Sequence, residues 1–443
     1  MILILGAGLA GLAAAYHLSR LRPEQPCLVL ERESEAGGLC RSRRFGGFTF
    51  DFTGHYLHLR DPGITAWVDE LIGDELVPIE RRARIHSHGA RLEFPFQAHL
   101  HGLPPEIVAN CLLDFIGVSR QERPGGDGRQ PFDQWARRVF GEAIAEHFMI
   151  PYNAKLFGVE PGEITAEWVA WAVPRPGLEQ VVRGALGLSN EGMGYNPRFR
   201  YPRGGGIGVL AERLAAEVAS DLRLESSCKE VDLAAREVVL SSGERLGFDT
   251  LISTLPLPAL LGRLRVAPGQ PLPPAAGPGK LRASAVLDLE LGVRREKIAE
   301  GAHWIYFPEP EYPFYRVGFP SNVCPAMAPE GHVSLSVEFS HPSGEPPPPE
   351  ERLLESAMEG LFRAGVLSPS DSVVLAELAL IDPGYVLYDR ERTELAGDAL
   401  EWLEGRGVFS IGRFGGWTYS YMERALIEGK RAAEKVLADS CAD

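Results

Sequence analysis

An α/β fold is what this sequence predicts: a parallel sheet with crossover helices, broken by a mainly helical insertion and completed by a separate antiparallel sheet. Three observations predict it. The chain opens as strand, glycine-rich turn, helix and strand; residues near 100 to 198 carry apolar positions at helical spacing; and after Arg223 the pattern changes to short strands. At 443 residues, 45% hydrophobic and 24% charged, the chain can bury two or three packed layers, which excludes collagen, coiled coil and wholesale disorder.

Each element follows from its residues. Residues 3–5 are a buried strand, Gly6 to Gly11 a turn, residues 12–21 an Ala/Leu-rich helix, and Cys27–Leu30 the next strand, which ends at Glu31. Helical spacing recurs over residues 133–148 and around Trp168 and Trp171. Strands are expected at 230–232, Glu237–Leu240 and 251–254, then at 284–291, 304–307, 315–319 and 333–339, and a last helix at 421–437. The Pro/Gly-rich stretches 267–279 and 342–350 read as exposed connections. The expected division is residues 1–60, 199–262 and 395–443 in the parallel-sheet domain, 61–198 in the helical insertion, and 263–394 in the antiparallel sheet. There is no internal repeat.

Charge narrows the partners. Lys plus Arg is 45 and Asp plus Glu is 60, a net charge of −15 that repels phosphate polymers, so nucleic acid is not an expected partner. The six cysteines stand singly, with no C-x-x-C pair and no His cluster, and read as reduced thiols with no metal site. Met1 runs into Ile2–Leu5 and stops at Gly6, which does not read as a signal peptide, and no stretch approaches the roughly 18 apolar residues of a membrane span. A soluble, cytoplasmic protein is expected. Nothing in the sequence sets an oligomeric state.

The first motif carries chemistry because of its context. Gly6, Gly8 and Gly11 follow a strand and open a helix, and Glu31 closes the next strand 20 residues after Gly11. Gly6 permits the tight turn, Gly8 lets backbone approach a pyrophosphate, Gly11 lets helix and strand pack, and the N-terminus of the helix that follows Leu9, Ala10 and Gly11 faces the anion. Glu31, followed by Arg32, is placed to accept ribose hydroxyls. The plainer alternative is a structural glycine turn with a surface glutamate. Gly37, Gly38, Leu39 and Arg41 then form a second Gly-rich loop with an arginine. A nicotinamide site needs no such loop, whereas an extended dinucleotide such as FAD does.

On these residues the sequence resembles the FAD enzymes of the amine oxidase superfamily, in which E-x-x-x-x-x-G-G and a nearby arginine close over the cofactor. The segment Phe409 to Gly416, with Gly412-Arg413 ahead of the last helix, is similar to that superfamily's return to the flavin, and Val231 is similar to its adenine-contacting backbone. Residues 304–322, Trp-Ile-Tyr-Phe-Pro through Tyr-Arg to Ser-Asn, most closely resemble the eukaryotic-type branch of UDP-galactopyranose mutase. Gly54-His55, Pro151 to Phe157, Tyr201 to Gly205, Gly384-Tyr385 and Trp417 to Tyr419 extend the likeness.

The resemblance implies non-covalent FAD in a Rossmann-like domain, with Gly54 and His55 against the isoalloxazine. It implies Arg316 on a substrate pyrophosphate, a job for a planar charged fork, and Tyr306, Tyr385 and Tyr419 on the diphosphate or sugar, with Tyr419 also near the cofactor. In that family, reduced flavin N5 attacks the anomeric carbon of a nucleotide-linked sugar, and the flavin must first be reduced, with NAD(P)H a candidate reductant. Two positions depart from the pattern: Ala172 stands where a second diphosphate arginine is expected, with Arg175 three residues on, and Glu423 or one of its neighbours lies where an asparagine is expected.

Other readings stand beside this one. The aromatic residues of 304–316 alternate as core strand residues do, Trp168 and Trp171 read as helix packing, and residues 391–404 as a solvated face. An oxidoreductase of the protoporphyrinogen oxidase, amine oxidase or desaturase kind would transfer hydride to the flavin instead; the lysine of many amine oxidases has no counterpart around Arg282 to Val286. A flavoprotein that only binds is the third.

Overall fold

The computed structural model describes residues 1–121, 128–188, 197–277 and 279–439. Strand Ile2–Leu5 lies between Thr250–Ser253 and Cys27–Leu30, with Val408–Ser410 and Leu222–Arg223 at the two edges, all parallel. Its four residues are buried on both faces, which is why they read as a continuous apolar run. Helix Leu9–Leu21 covers one face and is itself packed by the terminal helix Met422–Asp439.

A seven-stranded sheet forms the second layer. Its order is Ser372–Val386, Ala283–Arg294, His332–Pro342, Arg316–Gly318, Trp304–Tyr306, Ala83–Ser87, Ala90–Glu93. It is antiparallel except that Trp304–Tyr306 runs parallel to Ala83–Ser87. The sheet therefore recruits a hairpin from within 61–198, the stretch expected to be mainly helical. Leu287, Leu289, Leu291, Val333, Leu335 and Val337 line one face and pack on helix Glu350–Arg363. The opposite face carries Asp288, Glu290, Ser336 and Glu338, and it is buried as well, under the hairpin Ser42–Phe45 and Phe48–Asp51. Phe48 fits there because a Cβ at Gly292 would lie 2.6 Å from its ring.

Helices Pro105–Ser119, Phe132–Phe140 and Ile150–Phe157 lie within residues 61–198. Between the last two, Ala145–Met149 winds as a π-helix, a departure often found at functional sites. The wider turn puts Phe148 in parallel stacking with both Phe96 (5.1 Å between centroids) and Tyr152 (5.3 Å). Residues 391–404, expected as a solvated face, are a helix over Arg392–Glu404 whose Ala396, Ala399 and Leu403 are buried. Among the described residues no helix is long and apolar enough to cross a membrane, and no group of three or more His, Cys, Asp or Glu could hold a metal ion. The five described cysteines are free; Cys441 lies outside the described residues.

Candidate active site

The glycine turn has the contacts its spacing implies. Gly6 has φ +95°, and a Cβ there would sit 2.3 Å from Thr254 Oγ1, while at Gly11 it would lie 2.0 Å from the Gly6 carbonyl oxygen. Gly8 is different: a Cβ there would meet nothing within 4 Å. Two glycines close the turn, and the middle one faces open space at the N-terminus of helix Leu9–Leu21, where helix amides attract an anion. The second loop is sewn to the first: the Gly37 amide donates to the Ala7 carbonyl (2.7 Å), and a Cβ at Gly38 would approach the Gly8 Cα at 3.3 Å. Arg41 Nε donates to the Gly38 carbonyl at 3.0 Å. Leu39 stands half-buried between them.

Glu31 is buried, and its two carboxylate oxygens accept the Ala7 amide at 2.7 Å and the Glu33 amide at 3.0 Å. Each oxygen keeps a second lone pair for a hydroxyl. Arg32 points to solvent and pairs with Glu33. Val231 is fully buried, and its amide is spent on the Arg263 carbonyl at 2.9 Å within the parallel pairing of Cys228–Asp232 with Leu264–Arg265. Gly412 packs beside Ala10, and its amide donates to Glu428 at 2.9 Å. Arg413 donates to the carbonyls of Ser420 (3.0 Å) and Gly384 (2.9 Å), which joins the parallel sheet to the second one.

His55 lies close to Arg413 and Arg316, and the tyrosines gather around the same arginines. Burial, and next the charge of Arg413, lowers His55 to about 4, so its imidazole is neutral at physiological pH. The Arg413 guanidinium stands 5.3 Å from the Tyr385 ring and 5.1 Å from the Tyr419 ring, and those two rings are 5.7 Å apart. Tyr306 is met by Tyr152 at 5.2 Å, and Tyr152 by Tyr315 at 6.5 Å. Burial raises the hydroxyls of Tyr385 and Tyr419, so both remain protonated donors. Trp168 is buried at the wall, 6.1 Å from Tyr419.

Arg316 lies among these rings, but it is not alone. Its Nε and Nη2 each donate to Glu338 at 2.8 Å, a fork-to-fork pair, and the Tyr315 hydroxyl donates to the same carboxylate at 2.8 Å. Burial opposes the guanidinium's charge, yet Glu338 and the neighbouring phenols raise its pKa overall. Ala172 is half-buried against the apolar core, and Arg175 is exposed, its guanidinium over the Trp135 ring at 5.2 Å. Glu423 is buried and turned away from the chamber: it accepts the amides of Arg60 and Asp61, the latter at 2.7 Å. The carboxylate thus caps backbone donors just ahead of helix Pro62–Ile72.

Sequence reading missed Glu338, Tyr315, Tyr152 and the acids Asp51, Asp288 and Glu290. The signal was present in part: Asp288 and Glu290 alternate with Leu287, Leu289 and Leu291, as on a half-solvated strand. Only the hairpin packed above them makes that polar face internal.

The residues present fit a bound FAD. Gly8 leaves space at a helix N-terminus, and the buried His55 Nδ1 and Arg413 Nε, the latter on the guanidinium that stands over two tyrosine rings, have no hydrogen-bond partner in the protein. Cys40, the buried thiol beside this region, is pushed up to about 12 by burial and so is no nucleophile.

Fold and site together define a dinucleotide-binding α/β protein whose glycine cradle opens onto an aromatic chamber under a second sheet. The chain belongs to the family described as flavin containing amine oxidoreductase, whose sequence model matches residues 9–437. A solved structure of reduced UDP-galactopyranose mutase aligns over 99% of this chain and 93% of its own with a TM-score of 0.89 and 29% identity. Cyclohexylamine oxidase from Brevibacterium oxydans aligns over 99% and 98% with a TM-score of 0.69 and 16% identity, a likeness of fold. Chloroplastic protoporphyrinogen oxidase 1 of Arabidopsis thaliana is 21% identical over 248 residues, 50% of this chain and 45% of that protein. The chain spans about half the length of the curated relatives it matches.

Proposed function

We propose that this flavoenzyme isomerises the ring of a nucleotide-linked sugar, with a cofactor domain of residues 1–60, 199–262 and 395–443, the insertion 61–198 and the substrate sheet 263–394. The observation that carries the reading is the gathering of Arg316, Tyr306, Tyr385 and Tyr419 around Arg413, with the neutral His55 close to both arginines, in a chain that aligns along nearly its whole length with a UDP-galactopyranose mutase. When bound and reduced, the flavin supplies a nucleophilic nitrogen. Gly6, Gly8, Leu9, Ala10 and Gly11 would hold its pyrophosphate, Glu31 its ribose, Gly37, Gly38 and Arg41 its far side, and Gly54, His55, Gly412 and Arg413 its ring. The protein's share is then binding and orientation: Arg316 offers its outer edge to an anion while Glu338 fixes its plane, and the tyrosine hydroxyls orient the sugar and exclude water. NAD(P)H is the proposed reductant.

The second reading, hydride transfer from substrate to flavin, is favoured by one specific observation. The pair Arg316 and Glu338 has no net charge, and Ala172 adds none, so the chamber is less cationic than a doubly charged diphosphate wants. Dithionite-reduced protein incubated with UDP-galactopyranose decides between them. Interconversion with the furanose form, absent in strictly oxidised enzyme, is expected; stoichiometric hydrogen peroxide from an amine or porphyrinogen, with no sugar turnover, establishes the oxidase instead.

A further inference from the structure

The face of strand Ala283–Arg294 that meets the hairpin Ser42–Phe45 and Phe48–Asp51 buries more acid than base. Asp288 and Glu290 are both 0% exposed, Glu338 is the cross-strand partner of Asp288, and Asp51 comes from the hairpin. Facing these four carboxylates are two buried or half-buried guanidiniums, Arg43 at 2.6 Å from Glu290 and Arg316 on Glu338, with Arg44 exposed at the rim beside Asp51. Such a row cannot be fully ionised without uncompensated buried charge, so it retains protons near neutrality. In keeping with that, burial, and next the charge of Glu338, raises Asp288 to about 7, and burial, and next Asp288, raises Glu290 to about 8.

One member of the row touches the candidate active site. Asp288 Oδ2 accepts the Thr53 amide at 3.0 Å and Oδ1 accepts the Ser336 hydroxyl at 2.6 Å. Thr53, a β-branched residue, sits in the left-handed region at φ 64° immediately before Gly54 and His55, a conformation that persists only where surroundings enforce it. A cavity of about 20 Å³ opens beside the contact, lined in part by Thr53, Gly54, Ser336, Glu338 and Arg316, with room for about one water.

We propose that Asp288 is a positioning residue that holds the Thr53 to His55 turn while charged and takes up a proton when the cofactor beyond His55 is reduced. Charged, both of its oxygens accept; a proton on Oδ2 would meet the Thr53 amide donor to donor and release the turn. A hydride from NAD(P)H brings two electrons and one proton and leaves the cofactor one unit more negative. The balancing proton passes from solvent to Asp288. This rests on the flavin reading above, but Thr53 can be observed without flavin.

Two measurements test it. With 15N-threonine-labelled protein, the Thr53 amide is expected to shift between pH 5.5 and 8.5 in the wild type and to stay still in Asp288→Asn. With FAD bound, the midpoint potential plotted against pH is expected to bend in the same range, to lose the bend in Asp288→Asn, and to keep it in Glu290→Gln, whose side chain does not reach the turn. Ser336→Ala, which removes a donor to the charged form, should move the bend to higher pH, and decides the matter if Asp288→Asn does not fold. Parallel curves for wild type and Asp288→Asn, or a bend unmoved in Ser336→Ala, overturn the proposal. A protein that takes up no FAD refutes the flavin reading instead, and a Thr53 amide that titrates alike in both proteins then overturns the inference by itself.

Discussion

Arg316 is held by two parallel bonds to a carboxylate that is 1% exposed, so each partner is the other's solvation. Removing one leaves a buried charge. Arg316→Met is expected to cost on the order of 3–5 kcal/mol in urea denaturation, whereas Arg316→Met combined with Glu338→Met should recover most of that loss, because the pair leaves together. Recovery no better than the single variant would refute the coupling. At Gly8 the expectation is the reverse kind: Gly8→Ala meets no atom of the protein, so its melting temperature without cofactor should match the wild type while its 450 nm flavin absorbance is lost. Gly8, Gly11 and Glu31 were legible in the sequence because their task depends on local spacing. Glu338 was not, since its partner is supplied across a sheet.

Helix Leu9–Leu21 and helix Met422–Asp439 touch where Gly429 meets Ala10: a Cβ on Gly429 would stand 2.4 Å from the Ala10 carbonyl oxygen. Gly429→Ala must therefore push the helices apart, at a cost of roughly 1–3 kcal/mol for overpacking. The same shift would draw Gly412 away from Ala10, so flavin content should fall with stability; unchanged thermal unfolding would show that the crossing is slack. Lys155 plays the matching part in the insertion. Its ammonium donates to the carbonyls of Phe307 (2.7 Å) and Glu309 (3.0 Å), and so docks the helix that carries Tyr152. Strands such as Cys27–Leu30 and Glu237–Leu240 could be read to the residue from their apolar runs and turns. The place of the hairpin 83–93 could not, because what joins it to the larger sheet is the pairing of Ala83–Ser87 with Trp304–Tyr306, more than 200 residues away.

For the molecule as a whole, two sets of buried groups pull stability in opposite directions with pH. Burial lowers His17, His55, His58, His86 and His303 from 6.5 to about 4. The unfolded chain protonates them first, so their contribution is complete above about 6.5 and is lost as pH falls toward 4. Burial raises Asp51, Asp288 and Glu290 to about 6, 7 and 8 from 3.8, 3.8 and 4.5. There the folded chain keeps protons that the unfolded chain has released, so this contribution is present below about 4 and is lost as pH rises to between 6 and 8. Five histidines outweigh three acids on the acid side, and above 6.5 the acids are opposed by Lys155, which burial lowers from 10.5 to about 7, so that there the unfolded chain binds the extra proton. The melting temperature should therefore rise from pH 4 to about 6.5 and then level off, and Glu290→Gln, which removes one of the opposing acids, should let it go on rising to pH 8.5; a steep fall above pH 6.5 in the wild type would contradict this.

The sequence by itself determined the parallel sheet, the glycine cradle and the acidic end of its second strand, because strand burial and a phosphate turn are written in neighbouring residues. It also contained Tyr306, Arg316, Tyr385 and Tyr419, though without their geometry. Tertiary structure alone decided that Glu338 neutralises Arg316, that Glu423 caps the Arg60 and Asp61 amides, and that the acids on strand Ala283–Arg294 look inward. The physical reason is one of range: a charge acts on whatever folding brings within a few ångströms of it, and sequence separation does not say what that is.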